Sequence, residues 1–304
     1  MPHCPPTLSF GCHSVELDRH RIETIGHDVA RRLSAVLEVR RPLRVEVLLA
    51  TDGGSWAQGS LVRLCPRAGG GLSLLESFEM LLAHELTHVL VRECWGLPPA
   101  LVWEGLSVHL GDAWTRARVL GRTYHTYCRV LGELGVLPRL EGLMSAAAFY
   151  RWRPDSRVDL AAGSFCGFLL ATRGAAALRA FVADLGRPTA QVPRWVLVPA
   201  MRRHLGADLA HLEREWIVWL QHRPEAPELR ESWASRRFDG PPRGRMHCDV
   251  CFAPRAAQGC VACGEWARGV RVDIARSGDG AGETLACNDK TVVVRVGSRD
   301  SVVV

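Results

Sequence analysis

The chain has 304 residues, 47% hydrophobic and 23% charged, enough apolar material for one mid-sized catalytic domain plus a small module. That composition excludes a collagen-like, coiled-coil or largely disordered chain. The formal net charge of +6 divides as 25 basic against 21 acidic residues over 1–220, 6 against 4 over 221–247 and 7 against 7 over 248–304, so no segment gathers the positive charge that a nucleic-acid surface needs.

Met1–His20 lacks the apolar run of a secretory signal, and residues 1–13 read as irregular. Ser14–Val39 has helical periodicity, with Val15, Ile22, Ile25, Val29, Leu33, Val36 and Leu37 along one side. Arg44–Ala50 and Leu61–Cys65 read as strands around the Gly-rich loop Thr51–Ser60. Ser73 with Glu76 is a capping-box signature that opens the helix SLLESFEMLLAHELTHVLVREC. Gly96 and the pair Pro98-Pro99 end it, and Pro99 suits the first turn of the next helix, ALVWEGLSVHL. Further helices are expected near 113–134, 159–172, 175–185, 193–205 and 208–221. The most apolar stretch, Leu160–Ala171, is too short to span a bilayer and holds Gly163 and Ser164. With neither signal nor span, a cytoplasmic location without membrane association is expected, and the 11 cysteines read as thiols or metal ligands. Gln221–His247, rich in Pro, Arg and Glu, reads as a linker. In 248–304, RGVRVDI, ETLAC and KTVVVRV alternate like short strands.

The chemistry concentrates in His84-Glu85-Leu86-Thr87-His88, an HExxH motif. On a helix, side chains four apart share a face, so two imidazoles can hold one zinc. Glu85 is then placed as general base toward a zinc-activated water that attacks a peptide carbonyl. A catalytic zinc needs a third protein ligand. Glu104, in Trp103-Glu104-Gly105 on the returning helix, is the expected one, because a carboxylate on an apolar helical face needs a partner. Glu93, on the same helix as the histidines, points elsewhere.

HELTHVLV followed by PALVWEGLSVHL resembles the gluzincin metallopeptidases, the clan of thermolysin and the zinc aminopeptidases, whose third ligand is a Glu in a WxxEG-like context. Downstream, AAGSFCGFLLATRGAAALRAFVADLG and ADLAHLEREWIVWL resemble the helical C-terminal half of small peptidases of that clan. The resemblance covers roughly residues 40–220 and implies a peptide or protein substrate. The spacing to Glu104 is short for the larger members, and Cys94 breaks the metzincin pattern. The tyrosine that the resemblance leads one to expect before AGSF is replaced by Asp159, which leaves Tyr150 and His125 as candidates for stabilising the oxyanion. A SprT-like protease acting on DNA–protein crosslinks, with His109 as third ligand, is the competing enzyme reading.

Cys248-x2-Cys251-x8-Cys260-x2-Cys263 is a paired-knuckle spacing suited to a closed, structural zinc site. Such a ribbon would bind a substrate or a protein partner, and its zero net charge argues against nucleic acid. A non-catalytic ribbon protein on a peptidase scaffold is a further alternative, and the intact Glu85 counts against it. The expected fold is α+β: a small N-terminal sheet, the HExxH helix and a helical lobe over 1–220, a linker over 221–247, and a β-rich zinc ribbon over 248–304. Two zinc ions are expected, one catalytic and one structural.

Overall fold

The computed structural model describes residues 3–12, 17–69, 72–115, 117, 123–153, 156–186 and 194–234, and three strands within 273–294. Its main body is α+β, with a four-stranded mixed sheet followed by a helical mass. Strand β1 (Thr7–Cys12) pairs parallel with β2 (Arg44–Leu49). Strand β2 pairs parallel with β4 (Leu61–Leu64), which pairs antiparallel with β3 (Trp56–Gln58). The stretch expected to be irregular thus contains an edge strand. Leu8 and Phe10 alternate with Ser9 and Gly11 there, too short a run to stand out beside Pro5-Pro6. Val45, Val47 and Leu49 alternate inward and are buried, so the sheet presents one apolar face.

Helix α1 (Arg19–Val36) starts where the Asp18 carboxylate accepts from the Arg21 amide at 2.9 Å, five residues later than its periodicity suggests. It packs on α2 (Leu74–Cys94), the helix that carries the HExxH motif. The capping box forms as expected: Ser73 Oγ accepts from the Glu76 amide at 3.3 Å, and Glu76 Oε2 accepts from the Ser73 amide at 2.8 Å. From Leu82 to Val91 every residue of α2 is buried, on both its apolar and its polar faces. Each fully buried aliphatic side chain there contributes roughly 1.5–3 kcal/mol, which fixes the helix that holds the histidines. Gly96, at φ 110°, turns the chain out of α2.

Helix α3 (Ala100–Ser107) runs directly into a π-helical turn, Val108–Ala113. Then come α4 (Tyr124–Glu133), a 3-10 turn (Leu140–Leu143), α5 (Ala146–Trp152) and α6 (Ser156–Asp184). The 29 residues of α6 are two helical stretches joined at Gly174, at φ 80° and ψ 164°, in accord with the two helices read from the sequence. By length and composition α6 is apolar enough to cross a membrane, and 44% of its most apolar window is buried inside the fold. A Cβ on Gly105 would lie 2.6 Å from the Ala162 carbonyl oxygen, so glycine there lets α3 press directly on α6.

Helices α7 (Arg194–Leu205) and α8 (Leu209–Gln221) follow as expected. Part of the expected linker is helical: α9 (Pro227–Ala234) packs against α4, with Ala226 and Leu229 buried. The strands β5 (Asp273–Arg276), β6 (Glu283–Cys287) and β7 (Lys290–Val294) form an antiparallel sheet in sequence order. Cys248, Cys251, Cys260 and Cys263 lie outside the described residues.

Candidate metal centre

His84 and His88 sit one turn apart on α2, with ring centroids 5.0 Å apart and edge-to-face. Glu104 reaches them from α3, and its Oε2 lies 3.8 Å from His84 Nε2 and 3.8 Å from His88 Nε2. One ligand atom from each of the three falls within 4.8 Å of the others, the spacing of a group that could hold a metal ion. A tetrahedral zinc with bonds of about 2.0–2.2 Å sets its ligand atoms roughly 3.3–3.6 Å apart, so a small inward movement closes the set. Glu104 Oε2 is fully buried and makes no hydrogen bond. A buried carboxylate oxygen that faces two imidazole nitrogens, with the Arg153 guanidinium as its ion-pair partner, fits a divalent cation by the chemistry of the donor set.

Both imidazoles are oriented from the far side of the ring. His84 Nδ1 lies 3.3 Å from Asp112 Oδ1, on the π turn. The carboxylate can only accept, so the proton belongs on Nδ1 and the Nε2 lone pair is left for the metal. His88 Nδ1 is 3.0 Å from Ser107 Oγ, and that hydroxyl donates on to the Trp103 carbonyl at 3.2 Å. The Trp103 ring also stacks on His88, with centroids 4.6 Å apart and planes inclined by 24°. A Cβ on Gly111 would fall 2.7 Å from the His84 amide nitrogen, so only glycine lets the π turn approach α2 this closely.

The third residue is held from α5. Tyr150 donates its hydroxyl to Glu104 Oε1 at 2.8 Å. Arg153 brings a guanidinium nitrogen to 3.1 Å from Glu104 Oε2, and its Nε lies 3.7 Å from Asp159 Oδ1. Asp159 therefore takes part in this cluster through Arg153.

Burial and these charges move the titrating groups apart. Burial alone would depress His84, but the adjacent Asp112 carboxylate outweighs it and lifts the imidazolium to about 9. His88 has no carboxylate behind it, and burial drops it to about 3. Glu85 is pushed up to about 7, chiefly by burial, with Glu104 adding to the rise against the opposing pull of His84. Burial would raise Glu104 as well, but the Arg153 guanidinium and the histidines bring it below the usual carboxylate range. Asp159 rises to about 6 because burial outweighs Arg153.

His84, His88 and Glu104 thus form a group that could hold a metal ion, and Glu85 is buried next to His84 in the chain. His109 does not join them: among the described residues the metal-capable group contains His84, His88 and Glu104. The His109 ring lies beside His125, centroids 5.8 Å apart, and both rings press on Gly167 of α6. His125 is engaged with Ser164 Oγ at 2.9 Å and with the Trp219 ring. Glu93 is turned to Arg41, 2.8 Å away. Asp112, Ser107 and Arg153 escape a reading of the sequence alone; the signal that could have raised Asp112 is an acidic residue in VHLGDA soon after the third ligand.

No protein-family model matches the chain. No curated protein matches it. Solved structures similar to it include an M1 zinc metallopeptidase from Deinococcus radiodurans, 18% identical with a TM-score of 0.39, matched over 69% of this chain and 46% of that one. A mutant of an M1 zinc metallopeptidase from the same organism is 17% identical with a TM-score of 0.36, matched over 75% and 52%. A mutant two-domain M1 zinc metallopeptidase bound to L-arginine is 17% identical with a TM-score of 0.35, matched over 73% and 49%. The chain spans about half the length of these proteins. A likeness at this level assigns no family.

Proposed function

We propose that the protein is a zinc-dependent peptidase, with His84, His88 and Glu104 as metal ligands and Glu85 as general base. The observation that carries this reading is the convergence of two imidazole nitrogens and one buried carboxylate oxygen within 4.8 Å. Zinc bound there would act as a Lewis acid and lower the pKa of water toward neutrality. Glu85, next to His84 and raised to about 7 by burial, accepts a proton from the attacking water and returns it to the departing amine nitrogen. Asp112 and Ser107 keep both imidazoles in the metal-binding tautomer. Tyr150 fixes Oε1 of Glu104 and leaves Oε2 facing the histidines. Peptides or proteins are the substrates under this reading.

The SprT-like alternative needs His109 at the metal, and its packing against His125 and Gly167 counts against that. A structural zinc on Cys248, Cys251, Cys260 and Cys263, a protein partner for that ribbon and a cytoplasmic location belong to the same proposal. They rest on the cysteine spacing and the composition.

Elemental analysis of wild type and His84→Ala tests the metal assignment. Two zinc ions per chain falling to one support separate catalytic and structural sites, and one zinc in both proteins refutes the assignment. A peptide-library digest with Glu85→Gln as control tests the reaction. Cleavage by wild type that Glu85→Gln lacks is the expected result, and equal cleavage by both removes Glu85 from its role.

A further inference from the structure

We propose that Arg153 is the oxyanion-binding catalytic residue of this centre, donating hydrogen bonds to the oxygen that gains charge as a substrate carbonyl is attacked. The inference rests on the peptidase reading and supplies the electrophile which that reading leaves unassigned. Its ground is position. The Arg153 nitrogen lies 3.1 Å from Glu104 Oε2, the same oxygen that stands 3.8 Å from each histidine Nε2. One carboxylate oxygen separates the guanidinium from the place where the three ligand atoms meet.

Exposure sets Arg153 apart. The side chains of Glu104, His84 and His88 are 5%, 11% and 10% exposed, whereas that of Arg153 is 37% exposed. Of these four side chains Arg153 is the one that solvent reaches most. It is also held in place. Asp159 engages its Nε edge at 3.7 Å, and the Tyr150 ring lies 5.8 Å from its central carbon. A planar fork fixed before the reaction is the arrangement that stabilises developing charge without reorganisation. Asp159 and Glu104 compensate the cation, so its burial against the centre is tolerated.

Tyr150 is the competing candidate, but its hydroxyl proton is committed to Glu104 Oε1. The same tyrosine position that the sequence suggests for the oxyanion thus serves the third ligand, and the arginine three residues on takes the electrophilic role. In the step, the water oxygen bonds to the carbonyl carbon as Glu85 takes its proton. The carbonyl π pair moves onto oxygen, and Arg153 hydrogen-bonds that oxygen without giving up a proton. On collapse the pair re-forms the carbonyl. The carbon–nitrogen bond breaks, its electrons leave with nitrogen, and nitrogen takes the proton from Glu85.

The test compares full-length, zinc-loaded wild type with Arg153→Gln, Arg153→Lys and Tyr150→Phe. Zinc content, peptide-library kinetics and calorimetric affinity for methylphosphonate, a tetrahedral oxyanion, are measured. Arg153→Gln is expected to keep its zinc and its KM while kcat falls by about 10²–10³-fold. Methylphosphonate affinity should fall with it, Arg153→Lys should lie between, and Tyr150→Phe should retain most of kcat. Zinc loss in Arg153→Gln, methylphosphonate binding that is absent from wild type or unchanged in the variant, or a loss carried instead by Tyr150→Phe overturns the assignment. If wild type cleaves no peptide yet binds methylphosphonate through Arg153, the peptidase reading falls and the catalytic role with it, and Arg153 is left as an anion-binding residue.

Discussion

Asp112 stands behind His84, with its Oδ1 3.3 Å from the Nδ1 that faces away from the metal position. The contact exists because the segment after α3 winds as a π turn: i→i+5 bonding turns the chain less per residue than an α-helix and brings Asp112 round to α2. A carboxylate on the distal nitrogen fixes the tautomer and raises the basicity of the ligand, an effect worth about 10–100-fold in metal affinity. Asp112→Ala is expected to weaken zinc binding at this site by that amount in chelator competition. Equal affinities in variant and wild type would remove Asp112 from the centre.

Gly111 tests the same turn sterically. A methyl group there meets the His84 amide nitrogen at 2.7 Å and its Cα at 2.9 Å, and both belong to the rigid backbone of α2. Gly111→Ala must push the π turn off the helix, at a cost of about 1–3 kcal/mol in stability. Asp112 moves with the turn, so zinc affinity should fall alongside the urea midpoint. A variant with wild-type stability and affinity would show that the two elements do not touch.

The sequence showed the parts of this site that depend on one element alone. His84 and His88 share a face because they are four apart on a helix, and Ser73 with Glu76 marks its start. Glu104 was legible as a carboxylate stranded on an apolar helix, Leu101 and Leu106 being fully buried on either side of it. What was hidden depends on pairs of elements. Asp112 reaches His84 through a π turn, for which no periodicity exists in the sequence. Arg153 arrives at the C-terminal cap of α5, seven residues long and too short to give a helical pattern, and Tyr150, a candidate by sequence for another role, meets Glu104 from the same helix. Strand β1 was missed for the same reason, and α9 because a Pro- and Glu-rich stretch concealed the two buried residues Ala226 and Leu229.

Metal uptake should release a proton near neutral pH. His84 titrates at about 9 because Asp112 outweighs its burial, so it is protonated at pH 7 in the metal-free protein, and its Nε2 must lose that proton to bind a cation. Calorimetric titration of zinc in buffers of different ionisation enthalpy should report release from this centre at pH 7 that fades above pH 9. Asp112→Ala removes the group that lifts His84 and should reduce the release at pH 7. Release that is the same in both proteins would contradict this account of His84.

Glu85 connects the site to folding stability. Burial raises its carboxyl from 4.5 to about 7, so the native metal-free state holds a proton there that the unfolded chain has already lost. Between those two values the native state binds more protons than the unfolded one, and stability from this group falls as pH rises. Above pH 7 the full cost of a buried carboxylate is present, and below pH 4.5 it is absent. Glu85→Gln removes the titration while keeping the shape. The metal-free variant should therefore be more stable than wild type at pH 8, by an amount on the order of a few kcal/mol, and should lose that advantage by pH 4. Urea unfolding at the two pH values measures the difference. An advantage that persists at pH 4 would point to packing, whereas one confined to high pH is the cost of holding a general base, uncharged by preference, beside an empty ligand set.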